Sequence, residues 1–319
     1  MRDNEQTLHP AIYALGNALM RRCVLQATHA ISRSFHPGNT MPPHMLQQPA
    51  FGTAFALATD QDVSARSIQI LNGRFDRLLT GQVVDELYDT IRAGKRGVLC
   101  TVNVAILMMM RSNARLQSFV DFARWTVADG QPIIWASHLT RQPLPERITG
   151  IDLIDLLCAR SVREHVGVYF LGADEATIRT AVDVLRSRHT GLDIRGYANG
   201  YFRPDQAPER ARAVAESGAE LLFVAMGVPR QEYFIEEQWQ NLGARVVIGV
   251  GGSFDVVASL RKRAPRLLQR SGLEWAYRLA QEPRRLFRRY LVTNSLFVGL
   301  MSRTMIAHAF HFWRPLPRA

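Results

Sequence analysis

The chain has 319 residues, a mass of 36.0 kDa and 47% hydrophobic residues, enough for one large domain or two small ones with a full core. A formal charge of +11 and a pI near 10.3 point to an anionic partner: nucleic acid, anionic lipid or a phosphorylated substrate. Three scattered cysteines (Cys23, Cys100, Cys158) with no CxxC pair argue against a disulfide framework or a zinc site and favour a reducing cytosol; no uninterrupted apolar run reaches the ~20 residues that span a bilayer.

Residues 1–66 read as an N-terminal extension, partly disordered. Ala11 to Ile31 has the pattern of a helix, and His36 to Pro49 the composition of a linker. The opening MRDNEQTLHP carries two acids and no apolar stretch, so it makes a poor signal peptide.

The globular part begins near Ser67. Ile68 to Leu71 reads as a strand, and Thr80 as the cap of a helix with Val83, Val84, Leu87 and Ile91 on one face. Gly97 to Val102 reads as a buried strand ending at Thr101 and Asn103. A helical stretch follows from about Ala105 to Val127, with a break near Ser112-Asn113 and a Met108-Met109-Met110 run that suits a core. Ala128-Asp129-Gly130 then marks a turn before an expected strand at Pro132 to Trp135. Asp152 is the expected cap of the next helix. Strands are expected at Val166 to Leu171, Asp193 to Tyr197, Leu221 to Ala225 and Arg245 to Val250. Helices are expected at Glu175 to His189, Pro208 to Ser217 and Arg230 to Gln240.

Such alternation predicts an α/β fold, Rossmann-like, with a mostly parallel sheet flanked by helices over residues 67–265. Ligands of such sheets bind beyond the carboxyl ends of the strands. Residues 266–319 read as a basic, helical, membrane-targeting C-terminal appendage. From Arg261 to Arg289 ten Arg or Lys face two acids, Glu274 and Glu282, and are interleaved with Trp275, Tyr277, Leu279, Leu286, Phe287 and Tyr290. Tyr290 to Ser302 then carries no charge. Basic residues beside aromatic and aliphatic ones suit a helix lying on an anionic membrane.

Several familiar sites are missing. Gly249-Val-Gly-Gly-Ser-Phe254 has Phe where a dinucleotide fingerprint has its last glycine, and Gly94-Lys95 lacks the upstream glycine of a P-loop. There is no G-x-S-x-G or H-E-x-x-H, and residues 67–265 hold no D-x-D of the kind that many nucleotide-sugar enzymes use to hold a metal; His308 and His311 lack a third metal ligand, so no metal is expected. Asp129 is the best single candidate for a catalytic group: a carboxylate in a partly dry cleft acts as a general base, although Asp-Gly also simply forms turns. Thr101 and Asn103 are placed to reach the same cleft, or to end a strand and cap a helix. Arg147 suits a phosphate, or a salt bridge to Glu146 or Asp152. Asp255 suits a base or ribose edge, or a helix cap.

Eight blocks in order carry a resemblance. They are Thr101-Val-Asn103; Ala128-Asp129-Gly130; Glu146-Arg147-Ile-Thr-Gly150 with Asp152; Asn199-Gly-Tyr-Phe202; Gly227-Val-Pro-Arg-Gln-Glu232; Gly249-Val-Gly-Gly-Ser-Phe-Asp255; Arg263-Ala-Pro265; and Gly272-Leu-Glu-Trp275 through Tyr277-Arg278 to Glu282-Pro283-Arg284. Over about Ile68 to Tyr290 the chain resembles the WecG/TagA/CpsF family of bacterial glycosyltransferases (glycosyltransferase family 26). It departs from the family pattern mildly, with Asn199 for Asp, Arg230 for Lys and Ser259 for Gly.

The resemblance implies an inverting transferase that moves a sugar from a UDP-sugar to an undecaprenyl-diphosphate-linked saccharide in surface or exopolysaccharide synthesis. Such an enzyme needs no cofactor and works at the cytoplasmic face of the membrane, with a homo-oligomer conceivable. In those roles Asp129 is the base. Thr101, Asn103, Arg147 and Gln231 line the sugar and phosphate cleft. Gly251, Gly252 and Asp255 hold the uridine end, and Arg278, Arg285 and Arg288 meet the lipid diphosphate, on one helical face if the helix runs past Pro283. The implied donors include N-acetylmannosamine, its uronic acid and glucose. Two other readings of the residues stand beside this one: an α/β protein that binds nucleic acid through its Arg-aromatic tail, and an inactive scaffold.

Overall fold

The structure is a computed structural model. It describes residues 66–139, 143–261, 263–265, 268, 274–281 and 283–312; within the last of these the side chains of 285, 286, 288–290 and 305–312 are not described. The N-terminal helix, linker and extension expected before residue 66, and Cys23, lie outside the described residues. All described residues belong to one compact unit, Gln61–Ala319.

The unit opens with a hairpin, β1 (Ser67–Ile70) against β2 (Gly73–Asp76), of which only the first strand is legible in the sequence. Next come α1 (Thr80–Arg92), β3 (Gly97–Val102), α2 (Val104–Met110), α3 (Ala114–Phe122) and β4 (Trp125–Ala128). The middle of the chain holds α4 (Gln131–Leu139), α5 (Gly150–Glu164), β5 (Val168–Gly172), α6 (Glu175–Arg188) and β6 (Ile194–Ala198). The remainder forms α7 (Ala207–Glu216), β7 (Leu221–Ala225), α8 (Arg230–Gln238), β8 (Val246–Gly249), α9 (Ser253–Val257), α10 (Glu274–Gln281) and α11 (Pro283–Phe312).

Six strands form one parallel sheet in the order β4-β3-β8-β7-β5-β6. Strands buried on both faces need apolar side chains on both, which is why Leu221–Ala225 is a continuous apolar run. One face packs on α1, α5, α6 and α9 through Leu87, Leu157, Ile178 and Phe254 among others. There Phe170 stacks on Phe223 at 5.3 Å and meets Phe254 edge-on at 5.8 Å. On the other face Ile106 of α2, Phe119 of α3 and Ile235 of α8 meet Val98, Cys100 and Val102.

Four expectations are corrected. Residues 125–128 form the end strand of the six-stranded sheet, where the preceding helix was expected to run on to Val127, because Trp125 to Ala128 is buried throughout and pairs with β3. Residues 132–135 are helical, not a strand; Pro132 sits in the first turn, where its missing N–H is no loss. Caps also differ. Thr149, not Asp152, caps α5, its hydroxyl accepting from Asp152 N at 3.2 Å. At α1 the capping position is Leu79, and Thr80 N donates to the Glu146 carboxylate.

The carboxyl ends of β5, β6 and β7 are packed tightly. Gly172 has φ +148°, and a Cβ there would stand 2.3 Å from the Ala225 carbonyl oxygen. Gly172→Ala should therefore destabilise the fold by about 3 kcal/mol. Urea denaturation measures this, and an unchanged midpoint would show that this end of the sheet relaxes freely.

Candidate active site

Parallel strands bring their carboxyl ends to one edge, and that edge holds most of the candidate residues. Asp129 follows β4 directly, its N–H donating to Val102 O at 2.9 Å. It therefore lies between a strand and a helix, where the sequence pattern had placed it between a helix and a strand. Asn103 follows β3 and caps α2, its Oδ1 accepting from Ile106 N at 3.1 Å. A Cβ on Gly130 would lie 3.7 Å from Asn103 Cβ, so the two loops are neighbours. Thr101 donates its hydroxyl proton to Gly249 O at 3.1 Å, joining β3 to the end of β8. The loop before α5 runs alongside, with Ile148 N donating to Ala128 O at 3.0 Å, and brings Arg147 to the same edge.

Asp129 keeps an edge open to solvent, yet protein atoms crowd it on every other side. Desolvation pushes its pKa up to about 7; Arg278 and then Arg147 pull against that rise, while Glu274 and Asp152 add to it. Arg147 pairs with neither Glu146 nor Asp152. Its Nη1 donates to Glu274 Oε2 at 2.7 Å, and Arg278 Nη2 donates to Glu274 Oε1 at 3.0 Å. Burial raises the Asp152 pKa, but bonds from Arg263 (2.7 Å) and Thr149 (2.7 Å) outweigh it and hold the group low.

Gln231 lies beneath the edge and not in an open cleft, at 3% exposure. Its Oε1 accepts from Gly251 N at 3.1 Å and its Nε2 donates to Glu232 Oε1 at 2.8 Å. It thus ties α8 to the glycine loop after β8. Gly251 takes φ +55°, Gly252 is exposed and precedes α9, and Asp255 lies in the first turn of α9, paired with Arg261 at 3.3 Å. The capping position of α9 is Gly252, not Asp255.

Arg278 is on α10. Arg285 and Arg288 are on α11, because Pro283 begins a new helix; their side chains lie outside the described residues. The side chains of His308 and His311 do as well. Among the described residues no three His, Cys, Asp or Glu gather as a metal set, and no helix is long and apolar enough to cross a membrane.

Two acids near this edge have no role that residue type and order assign. Glu274 was one acid in a basic stretch. Glu232 follows the Leu221–Ala225 run, where chemistry is expected, but had no role assigned; it is buried and its pKa is pushed up to about 7, by desolvation. It lines a cavity of ≈10 Å³ with Cys100, Thr101 and Ile235, and its Oε2 has no partner among the described residues.

The profile of the family described as "Glycosyl transferase WecG/TagA/CpsF family" matches residues 68–310. The chain belongs to this family. A curated relative from Bacillus spizizenii is 34% identical over 191 residues, covering 60% of this chain and 74% of the relative. Its name is N-acetylglucosaminyldiphosphoundecaprenol N-acetyl-beta-D-mannosaminyltransferase. This member of the WecG/TagA/CpsF family is accordingly a glycosyltransferase, with a Rossmann-like parallel sheet and its candidate residues at the carboxyl edge.

Glu232 gives a pH signature. Folded, it keeps its proton to about pH 7, whereas the unfolded carboxyl releases it near 4.5. Between those values the folded state binds more protons, so the group's contribution to stability falls as pH rises. Glu232→Gln should gain on the wild type by on the order of 3 kcal/mol between about pH 5 and about pH 8. A constant difference in denaturation midpoint across that window would mean that Glu232 is ionised throughout.

Proposed function

We propose that this enzyme transfers a sugar of the N-acetylmannosamine class from a UDP-sugar to undecaprenyl-diphosphate-linked N-acetylglucosamine, with inversion, and with Asp129 as general base. The observation that carries the reading is a carboxylate at the carboxyl edge of the sheet whose pKa is pushed up to about 7, with two arginines beside it. The relative's name supports the acceptor and the sugar.

A base whose pKa lies near the working pH is both ionised and able to hold a proton. In the proposed reaction an acceptor hydroxyl oxygen forms a bond to the anomeric carbon from the face opposite the donor phosphate. The bond from that carbon to the phosphate oxygen breaks, UDP leaves with the electron pair, and the hydroxyl proton ends on Asp129. Arg147 and Arg278 supply positive charge for the diphosphates present.

Peripheral attachment at the cytoplasmic face of the membrane suits α11. Phe297, Leu300 and Met301 are buried, and the helix packs on α2, while Phe287, Leu291 and Val298 form an exposed apolar stripe. Nucleic-acid binding is the weaker use of the basic stretch, because Arg263 and Arg278 turn to Asp152 and Glu274.

The experiment is UDP release from a panel of UDP-sugars with lipid-linked acceptor in anionic vesicles. Asp129→Asn should lose ~10²–10⁴-fold in kcat while still binding UDP. Wild-type turnover should fall as pH drops below about 7, since the base is then protonated. Leu291→Glu should bind the vesicles less. Full activity in Asp129→Asn, or turnover that rises as pH falls, would reject Asp129 as the base.

A further inference from the structure

Three carboxylates and three guanidiniums interlock around Asp129, drawn from two parts of the chain. Asp129, Arg147 and Asp152 belong to the sheet edge and the start of α5. Arg263, Glu274 and Arg278 come from the C-terminal segment. Arg263 Nη2 donates to Asp152 Oδ2 at 2.7 Å, so the two parts are already joined once. Glu274 joins them again, and differently.

Glu274 is 5% exposed, in a stretch where ten basic residues leave no need for a buried acid to balance surface charge. Each of its oxygens holds a different arginine: Oε2 accepts from Arg147 Nη1, across to the sheet edge, and Oε1 from Arg278 Nη2, one turn along its own helix. A carboxylate taken out of water is tolerated only when it is paired on both oxygens, and this one is. Burial pushes its pKa up, but Arg278, Arg147 and Arg263 outweigh that and keep it low, so it carries its charge at neutral pH.

We propose that Glu274 is a positioning residue: paired with Arg147 and Arg278 on its two oxygens, it joins α10 to the sheet edge and partly answers the charge of both guanidiniums beside Asp129, where a single diphosphate meets the pair. The proposal deepens the reading of Asp129 as base and rests on it for its role in turnover. Without Glu274, Arg147 has no other ion-pair partner among the described residues, and Arg278 loses its anchor to the edge.

Glu274 also acts on Asp129 through its charge. Asp129 is faced by Arg278 of α10, Arg147 of the loop before α5, Glu274 of α10 and Asp152 of α5, with Arg263 also within reach. The two arginines draw its proton off; the two acids hold it on. Removing the charge of Glu274 should therefore lower the Asp129 pKa, and removing that of Arg278 should raise it. Loosening of the fold would not give shifts of opposite sign.

The test is a pH titration of the Asp129 carboxyl by 13C NMR in the full chain, for wild type, Glu274→Gln and Arg278→Gln, with Asp129→Asn assigning the signal. The expected result is a fall in the first variant and a rise in the second, each of about half a unit or more. The proposal is overturned if Glu274→Gln leaves the value within about 0.2 units, or if both variants move it the same way. In turnover, Glu274→Gln should raise the KM for lipid-linked acceptor roughly tenfold, with the acid limb displaced to lower pH. The titration reads ionisation and not turnover. A wild type that transfers no sugar, with the two shifts as expected, would therefore reject the proposed reaction and keep the positioning role.

Discussion

A carboxylate withdrawn from water holds on to its proton unless positive charge is brought to it, and the arrangement around Asp129 follows from that balance. Burial at the end of β4 pushes the group up, and Arg278 and Arg147 hold the rise to about 7. Free arginines so close would have drawn it down further. Glu274 occupies both of them, so the positive charge is present but partly answered. The fold supplies the place: every strand of the sheet is parallel, so the ends of β3, β4 and β8 and the loop before α5 all deliver their side chains to one edge.

Much of this was legible because parallel strands buried on both faces leave unbroken apolar runs. Gly97–Val102 and Leu221–Ala225 stand where the sequence puts them, to the residue. Residues 125–135 were not legible for the same reason in reverse. Trp125-Thr-Val-Ala128 continues the apolar pattern of α3 closely enough to pass for its last turns. Pro132-Ile-Ile-Trp135, rich in β-branched and aromatic residues, reads as a strand although it opens α4. Local propensity lost there to pairing with β3. Ser259 shows the converse: it stands where the family commonly has Gly, and its φ of +60° is the conformation that favours glycine.

Residue type and order sufficed to put Asp129, Asn103 and Arg147 at the sheet edge, where they follow strand ends or precede a helix. They did not suffice for Gln231, whose amide turns inward to hold Gly251 N–H and Glu232. Nor did they reveal Glu274, whose meaning depends on a contact 127 residues away in sequence, with Arg147. One of two acids in a basic stretch was the available signal. It shows that a basic C-terminal segment does two jobs in one sequence: part of its charge turns inward to the sheet edge, while the apolar stripe of α11 faces out.

In the proposed mechanism one carboxylate, Asp129, activates the acceptor hydroxyl for direct displacement of UDP. A single displacement inverts the anomeric centre, whereas a covalent sugar–enzyme intermediate would restore it. The most direct measurement is the anomeric configuration of the first-turnover product, by NMR, from a UDP-sugar whose donor linkage is α. Direct displacement gives a β-linked product. An α-linked product would contradict it and require a second nucleophilic group at the site.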